Sequence, residues 1–143
     1  MLCFLFDFLR STKVLLSFNF FLDMYEIVVE RYEDNSFYEG EKIDDEKMGK
    51  GRFTYSDGSF YDGDWSHNKK NGVGAFIYKN KSPIYIGSWK LDRFNGKGVL
   101  FNIYMRDEGV VDWVKFEGDF EEGRKKGKGI LFLNNGEKRE ENN

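Results

Sequence analysis

One motif is written four times along the chain, and the register of its copies constrains the fold more than any other feature. Each copy opens with an aromatic residue, one further residue and a glycine: Tyr38-Glu39-Gly40, Tyr61-Asp62-Gly63, Tyr85-Ile86-Gly87 and Phe116-Glu117-Gly118. Eleven residues after each aromatic comes a Gly-x-Gly pair, at Gly49/Gly51, Gly72/Gly74, Gly96/Gly98 and Gly127/Gly129. The spacing of eleven holds in all four copies, although they begin 23, 24 and 31 residues apart. A unit of this length cannot enclose a core of its own, so the copies must stack on their neighbours into an elongated body. Bodies of that kind usually hold partners rather than transform substrates.

Within a copy the pattern is that of a meander of short antiparallel strands, two per repeat. Tyr61, Gly63 and Trp65 alternate and share a face, as do Gly72, Gly74, Phe76 and Tyr78, with Val73, Ala75 and Ile77 on the other side. The stretch from Ser66 to Asn71 reads as a polar loop between the two strands. At the far end, Tyr55-Ser56-Asp57-Gly58-Ser59-Phe60 sets Asp-Gly between two alternating runs, a hairpin signal. Glycine weakens a strand, so its regular presence implies that a ring from the adjacent strand lies across the bare backbone. Trp65, Trp89 and Phe120 stand where that ring is expected. Lys42 takes the slot in the first copy, which is therefore expected to be a looser, terminal unit.

Tyr61-Asp62-Gly63-Asp64-Trp65, then Gly72-Val73-Gly74, preceded by Phe53-Thr54-Tyr55-Ser56-Asp57-Gly58, resemble the MORN (membrane occupation and recognition nexus) repeat, over residues from about Asp34 to Gly136. The resemblance implies an all-β fold, an elongated, twisted antiparallel β ribbon used mainly as a scaffold or interaction module. It also implies service in cytoskeletal, ciliary or axonemal assemblies, or in membrane-apposed structures.

Composition narrows the class. The chain of 143 residues is sized for one domain. It has 15 Phe, 8 Tyr, 3 Trp and 16 Gly with one Pro, a mixture that suits ring-on-glycine stacking and argues against disorder. A single cysteine, Cys3, excludes an internal disulfide framework and fits a reducing, cytoplasmic compartment. A net charge of −3 argues against a dedicated nucleic-acid binder. Cations nevertheless cluster in the segments that link the two strands of repeats two to four: Lys69, Lys70, Arg93, Lys97, Arg124, Lys125, Lys126 and Lys128. In a regular meander these fall on one long edge, either as protection against edge-to-edge aggregation or as a stripe for anionic lipid heads or an acidic protein surface.

The ends and one insertion depart from the repeat. Residues 1–23 are strongly apolar but interrupted by Asp7, Arg10 and Lys13, with no run approaching the ~18 apolar residues a membrane-spanning helix wants. No basic start precedes the first apolar run, so a secretory signal fits poorly. The segment reads as a helix packed on the ribbon, an interfacial anchor or a spurious upstream extension. Residues 24–37 read as a partial capping repeat, in which Asp34-Asn35-Ser36 aligns with Asp57-Gly58-Ser59. Four full repeats then occupy 38–136, and 137–143 reads as a charged tail because Arg139 stands where the next aromatic is due. The link at 101–116 is seven or eight residues longer than its counterparts and reads as a long hairpin carrying Tyr104, Met105 and Trp113, an interface composition or else cover for a neighbouring hairpin.

No constellation of catalytic groups is apparent. His67 is the only histidine and sits beside Lys69 and Lys70; one His and one Cys cannot form a zinc site, and no cofactor is expected. The Gly-Lys-Gly sequences lack phosphate-loop spacing, and Asp57, Asp62 and Asp64 lack the closing glutamate of a calcium loop. The leading expectation is a non-enzymatic scaffold that docks protein partners on its aromatic face, Tyr61, Trp65, Tyr78, Tyr85, Trp89, Phe116 and Phe120, with self-association also open. Two alternatives stand beside it: a peripheral module binding anionic phospholipid through the basic edge, and the non-catalytic arm of a lipid kinase or SET-domain enzyme.

Overall fold

The computed structural model describes residues 25–103 and 112–143. Ten strands form one antiparallel sheet in chain order: β1 (Glu26–Arg31), β2 (Phe37–Ile43), β3 (Glu46–Thr54), β4 (Phe60–Ser66), β5 (Lys69–Ile77), β6 (Pro83–Lys90), β7 (Arg93–Phe101), β8 (Trp113–Glu121), β9 (Arg124–Leu133) and β10 (Lys138–Asn142). Each strand pairs only with its neighbours in sequence, so the sheet is an open meander whose outermost described strands are β1 and β10. No helix occurs among the described residues; the helix considered for 1–23 lies outside them, as do Tyr104 and Met105.

The register explains the glycines. Gly40, Gly51, Gly63, Gly74, Gly87, Gly98, Gly118 and Gly129 are successive cross-strand partners, an unbroken line of bare backbone across β2 to β9. Parallel to it runs a row of rings and aliphatics, Tyr38-Phe53-Tyr61-Phe76-Tyr85-Leu100-Phe116-Leu131. The ring that covers the glycines is the leading aromatic of each copy, Tyr38, Tyr61, Tyr85 or Phe116, not the residue at the tryptophan position. A Cβ on Gly74 would lie 2.5 Å from Tyr61 Cζ, and one on Gly98 the same distance from Tyr85 Cζ. The tyrosine wins this place because its hydroxyl reaches past the glycine to donate to a backbone carbonyl: Tyr38 to Glu41, Tyr61 to Asp64 and Tyr85 to Ser88, at 2.8–2.9 Å.

The tryptophans instead stand between successive tyrosines, edge to face. Trp65 lies 5.6 Å from Tyr38 and 5.2 Å from Tyr61, and Trp89 lies 5.1 Å from Tyr61 and 5.3 Å from Tyr85. Their indole N–H groups donate to the carbonyls of Gly51 and Gly74. Phe120 and Phe116 continue the series without hydrogen bonds, centroid to centroid at 5.6 Å. Such pairs contribute about 0.5–1.5 kcal/mol each beyond the area they bury. Among the described residues the one-sided ring ladder, with Val28 and Leu133 at its ends, makes up the buried apolar core.

The two glycines of each Gly-x-Gly pair do different work. The second receives the leading aromatic ring; the first adopts a left-handed backbone (Gly72, φ 116; Gly127, φ 62) in a bulge that recurs in all four copies.

Three expectations need correction. The loop expected from Ser66 to Asn71 is a two-residue turn, His67-Asn68, with both residues at positive φ; Asp44-Asp45, Leu91-Asp92 and Glu122-Gly123 repeat it. Lys42 does not loosen the first copy by exposure: it is buried, and its ammonium meets Glu30 of β1 at 2.7 Å. Residues 138–142 are a strand and not a tail, because β10 needs only backbone partners and finds them on β9, with Arg139 opposite Leu131.

Ring cover makes a definite demand on Gly74. Gly74→Ala is expected to destabilise the fold by about 1–3 kcal/mol through overpacking in chemical denaturation. Gly136→Ala, where a Cβ meets nothing within 4 Å and only the φ of 89 is strained, is expected to cost about 1 kcal/mol.

Candidate functional site

Where the predicted aromatic site residues lie is decided by the ring ladder. Tyr61, Tyr85 and Phe116 are fully buried, and Trp65, Trp89 and Phe120 are at most 6 % exposed. These six are the core, so they offer a partner almost no surface; Tyr78 alone of that set is half-buried. The physical reason is that the described residues form one sheet, whose rings cover one another. Trp113 also packs against the core cluster, at the start of β8 instead of at a hairpin tip.

The cations expected on one loop edge sit on strands, because the turns take only two residues. Most are neutralised locally: Lys69 pairs with Asp92 at 3.1 Å, Arg93 with Glu122 at 3.8 Å, Lys97 with Asp119 at 3.6 Å, Lys125 with Glu141 at 2.9 Å and Lys126 with Glu121 at 2.6 Å. Arg124 and Lys128 remain exposed on β9. Lys70 points into the ring ladder, with its ammonium 5.3–5.5 Å from the centroids of Tyr55, Tyr61, Phe76 and Trp89. Lys47 occupies the equivalent cage of Tyr32, Tyr38, Phe53 and Trp65. Burial there pulls the Lys47 pKa below the usual lysine value, against the opposing attraction of Glu30. In the third copy Phe94 fills the slot and stacks on Tyr85 at 3.8 Å. The row is part of the packing rather than a continuous basic stripe.

Two sets of residues were not singled out from the sequence. Asn68 and Asp92, each the second residue of a turn, hook onto the preceding hairpin: Asn68 bonds both the N–H and the carbonyl of Lys47, and Asp92 does the same for Lys70. Their signal was only an Asn or Asp in a turn. The second set is the sheet face opposite the rings. Ala75, Ile86 and Val99 are directly opposed across β5, β6 and β7, with Val73 and Ile77 flanking Ala75 on β5. Val73 is 60 % exposed and Ile86 43 %. The alternation that set Val73, Ala75 and Ile77 opposite the glycines was the signal for this outer face. An open depression there is lined by Ile86, Gly87, Lys97, Gly98, Val99, Glu117 and Gly118. A matching one, lined by Gly40, Gly51 and their neighbours, lies at the first two repeats.

Turn chemistry supplies the clearest perturbed acids. Asp57 accepts from the backbone N–H and hydroxyl of Ser59, at 2.9 and 2.6 Å, and Asp34 does the same for Ser36. The Ser59 hydroxyl, then its N–H, hold Asp57 below the usual carboxylate value. Glu30 is also lowered: burial opposes ionisation, but hydrogen bonds from Lys42 and Tyr32 outweigh it. Desolvation pushes the Tyr85 hydroxyl up to about 12. No group of three His, Cys, Asp or Glu side chains is arranged to hold a metal among the described residues.

A family model for the MORN repeat matches residues 38–60, 61–82, 85–102 and 116–138. The chain belongs to the MORN repeat family. Each matched MORN unit begins with the leading aromatic of a copy, the residue that the structure places over the glycine line. The MORN repeat is a non-catalytic module commonly involved in protein or membrane interactions. No curated protein gives a significant match to the chain.

Two measurements check these assignments. Asp57 is lowered in the fold, so its stabilisation is present above the unfolded carboxylate value of 3.8 and is lost as pH falls through the folded value. Asp57→Asn, which preserves the turn as Asn80 does with the Ser82 N–H, is expected to flatten the acid limb of stability below about pH 4 in denaturation curves. Lys70→Ala is expected to cost about 1 kcal/mol through the lost ring contacts, whereas Lys69→Ala is expected to change stability by less than about 0.5 kcal/mol.

Proposed function

We propose that this MORN chain is a non-enzymatic scaffold that docks a protein partner on the outer face of its middle repeats, in a cytoplasmic assembly of the cytoskeletal or axonemal kind. The observation that carries this reading is the apolar patch on the face opposite the rings, where Val73 and Ile86 are exposed and Ala75 and Val99 beside them are half-buried. A rigid ladder on one side leaves the other free to be shaped by its partner, and contiguous exposed apolar surface marks interaction sites. The aromatic residues support the reading indirectly, by fixing the backbone on which the patch is displayed. The ion-paired cations weigh against recognition of anionic lipid, since Lys69, Lys97, Lys125 and Lys126 each have a carboxylate at hand.

A photo-crosslinking residue at Ile86 or Val73 in cells is expected to yield discrete protein adducts. The same residue at Lys79, beside the turn after β5, is expected to yield none. Ile86→Glu should abolish the adducts formed at Val73 while leaving the thermal transition within a few degrees. Adducts that persist in Ile86→Glu would move the docking surface elsewhere, and recovery of lipid adducts alone would favour the membrane reading.

A further inference from the structure

One slot recurs in every copy, at the second residue of the strand that follows each tight turn: Lys47 on β3, Lys70 on β5, Phe94 on β7 and Lys125 on β9. Each lies across the sheet from the tryptophan position, opposite Lys42, Trp65, Trp89 and Phe120. What fills the slot differs. Lys125 gives its ammonium to Glu141 at 2.9 Å, and Phe94 stacks an apolar ring on Tyr85. Lys47 and Lys70 do neither. Each ammonium stands 5.3–5.7 Å from the centroids of four rings, and among the described residues no side chain or carbonyl accepts a hydrogen bond from it.

An ordinary lysine ammonium carries three N–H donors and is strongly hydrated. Ring faces attract its charge but give those donors little to bond. Phe94 shows that the slot accepts apolar bulk. Methylation keeps the positive charge and replaces N–H groups with apolar ones, and rings grouped around a cation are the means by which methylated ammonium groups are held. We propose that Lys47 and Lys70 are sites of N-methylation, each methylated ammonium being received by the four rings already around it. This inference does not depend on what docks on the outer face.

The methyl group comes from a sulfonium donor held by a separate methyltransferase. The lysine ammonium first gives a proton to water. Its neutral nitrogen then attacks the methyl carbon, and the carbon–sulfur bond breaks with its electron pair left on sulfur as a thioether. Repeating the cycle gives the dimethyl and trimethyl forms, with one proton released per methyl. Burial opposes the charge on Lys47 and so favours the neutral amine that must attack. Neither nitrogen is sealed from water, because no buried side-chain nitrogen or oxygen lacks a hydrogen-bond partner among the described residues. Lys69 and Lys125 set the contrast: each spends its N–H groups on a carboxylate, Asp92 or Glu141, and methyl groups would displace those bonds.

Two experiments on the full chain test the proposal. Mass-spectrometric peptide mapping of the chain purified from the cells that make it is expected to find methyl groups on Lys47 or Lys70. Unmodified lysine at both positions overturns the proposal. A chemical mimic tests the rings. In a Cys3→Ser background, Lys70→Cys alkylated with a trimethylammonioethyl group is compared with the same cysteine carrying an aminoethyl group. The trimethyl form is expected to melt a few degrees higher, and Tyr55→Leu, which removes one of the four rings, should shrink that gain. At Lys125→Cys the same exchange is expected to lower the melting temperature, because Glu141 loses its donor. A trimethyl group that gives no gain at position 70, while near-ultraviolet circular dichroism shows the tryptophans packed, overturns the proposal, as does an equal gain at position 125.

Discussion

A tyrosine ring lying flat on bare glycine backbone is the contact from which the rest of the molecule follows. It needs a glycine on the ring's own strand and another on the next, and that requirement writes Tyr-x-Gly and Gly-x-Gly at a fixed spacing. With the ring held down by its hydroxyl on a backbone carbonyl, the tryptophan four residues on can stand edge-on between one tyrosine and the next. Globular domains normally bury a sheet face under a second layer. Here each copy's rings shelter those of its neighbours, so a single layer suffices.

The ladder keeps its geometry while its chemistry varies. Lys47 and Lys70 put ammonium groups among four rings, and Phe94 fills the same slot by stacking. Lys42 with Glu30 replaces the indole of the first copy, exchanging an aromatic plug for an ion pair. The last copy uses Phe116 and Phe120, giving up both side-chain hydrogen bonds. Lys42 is buried and Glu30 half-buried, so losing the glutamate would leave a buried ammonium unpaired; the first copy is held in place by different means from the others.

How far the sequence could be read depended on the range of each cause. Strand alternation, the Asp57-Gly58-Ser59 turn and the glycine register are local, and the family match and the sheet agree with them. The tight His67-Asn68 turn was hidden because no glycine marks its left-handed residues, and six polar residues resemble a loop. The strand β10 was hidden because Arg139 breaks the aromatic series, although an edge strand needs only a backbone ladder. The candidate site went astray for a different reason. Rings look like interface chemistry, but whether Trp65 or Trp89 is covered depends on residues some 25 positions away in the chain. The outer face was legible in the parity of Val73, Ala75 and Ile77, yet parity alone does not say which of two faces meets solvent.

The scaffold reading asks for a rigid support with one displayed face, and the hooks between copies supply the rigidity. Asn68 and Asp92 fasten the β4–β5 and β6–β7 hairpins to the ones before them, and the Gly123 N–H donates to the Phe94 carbonyl to do so for β8–β9. Since no copy senses any but its neighbours, a gain or loss of one copy would leave the rest unaltered while moving the two ends by about 10 Å, two strand spacings. The number of copies is in that sense a gauge: it sets the span between whatever the first and last repeats hold, in steps of one hairpin.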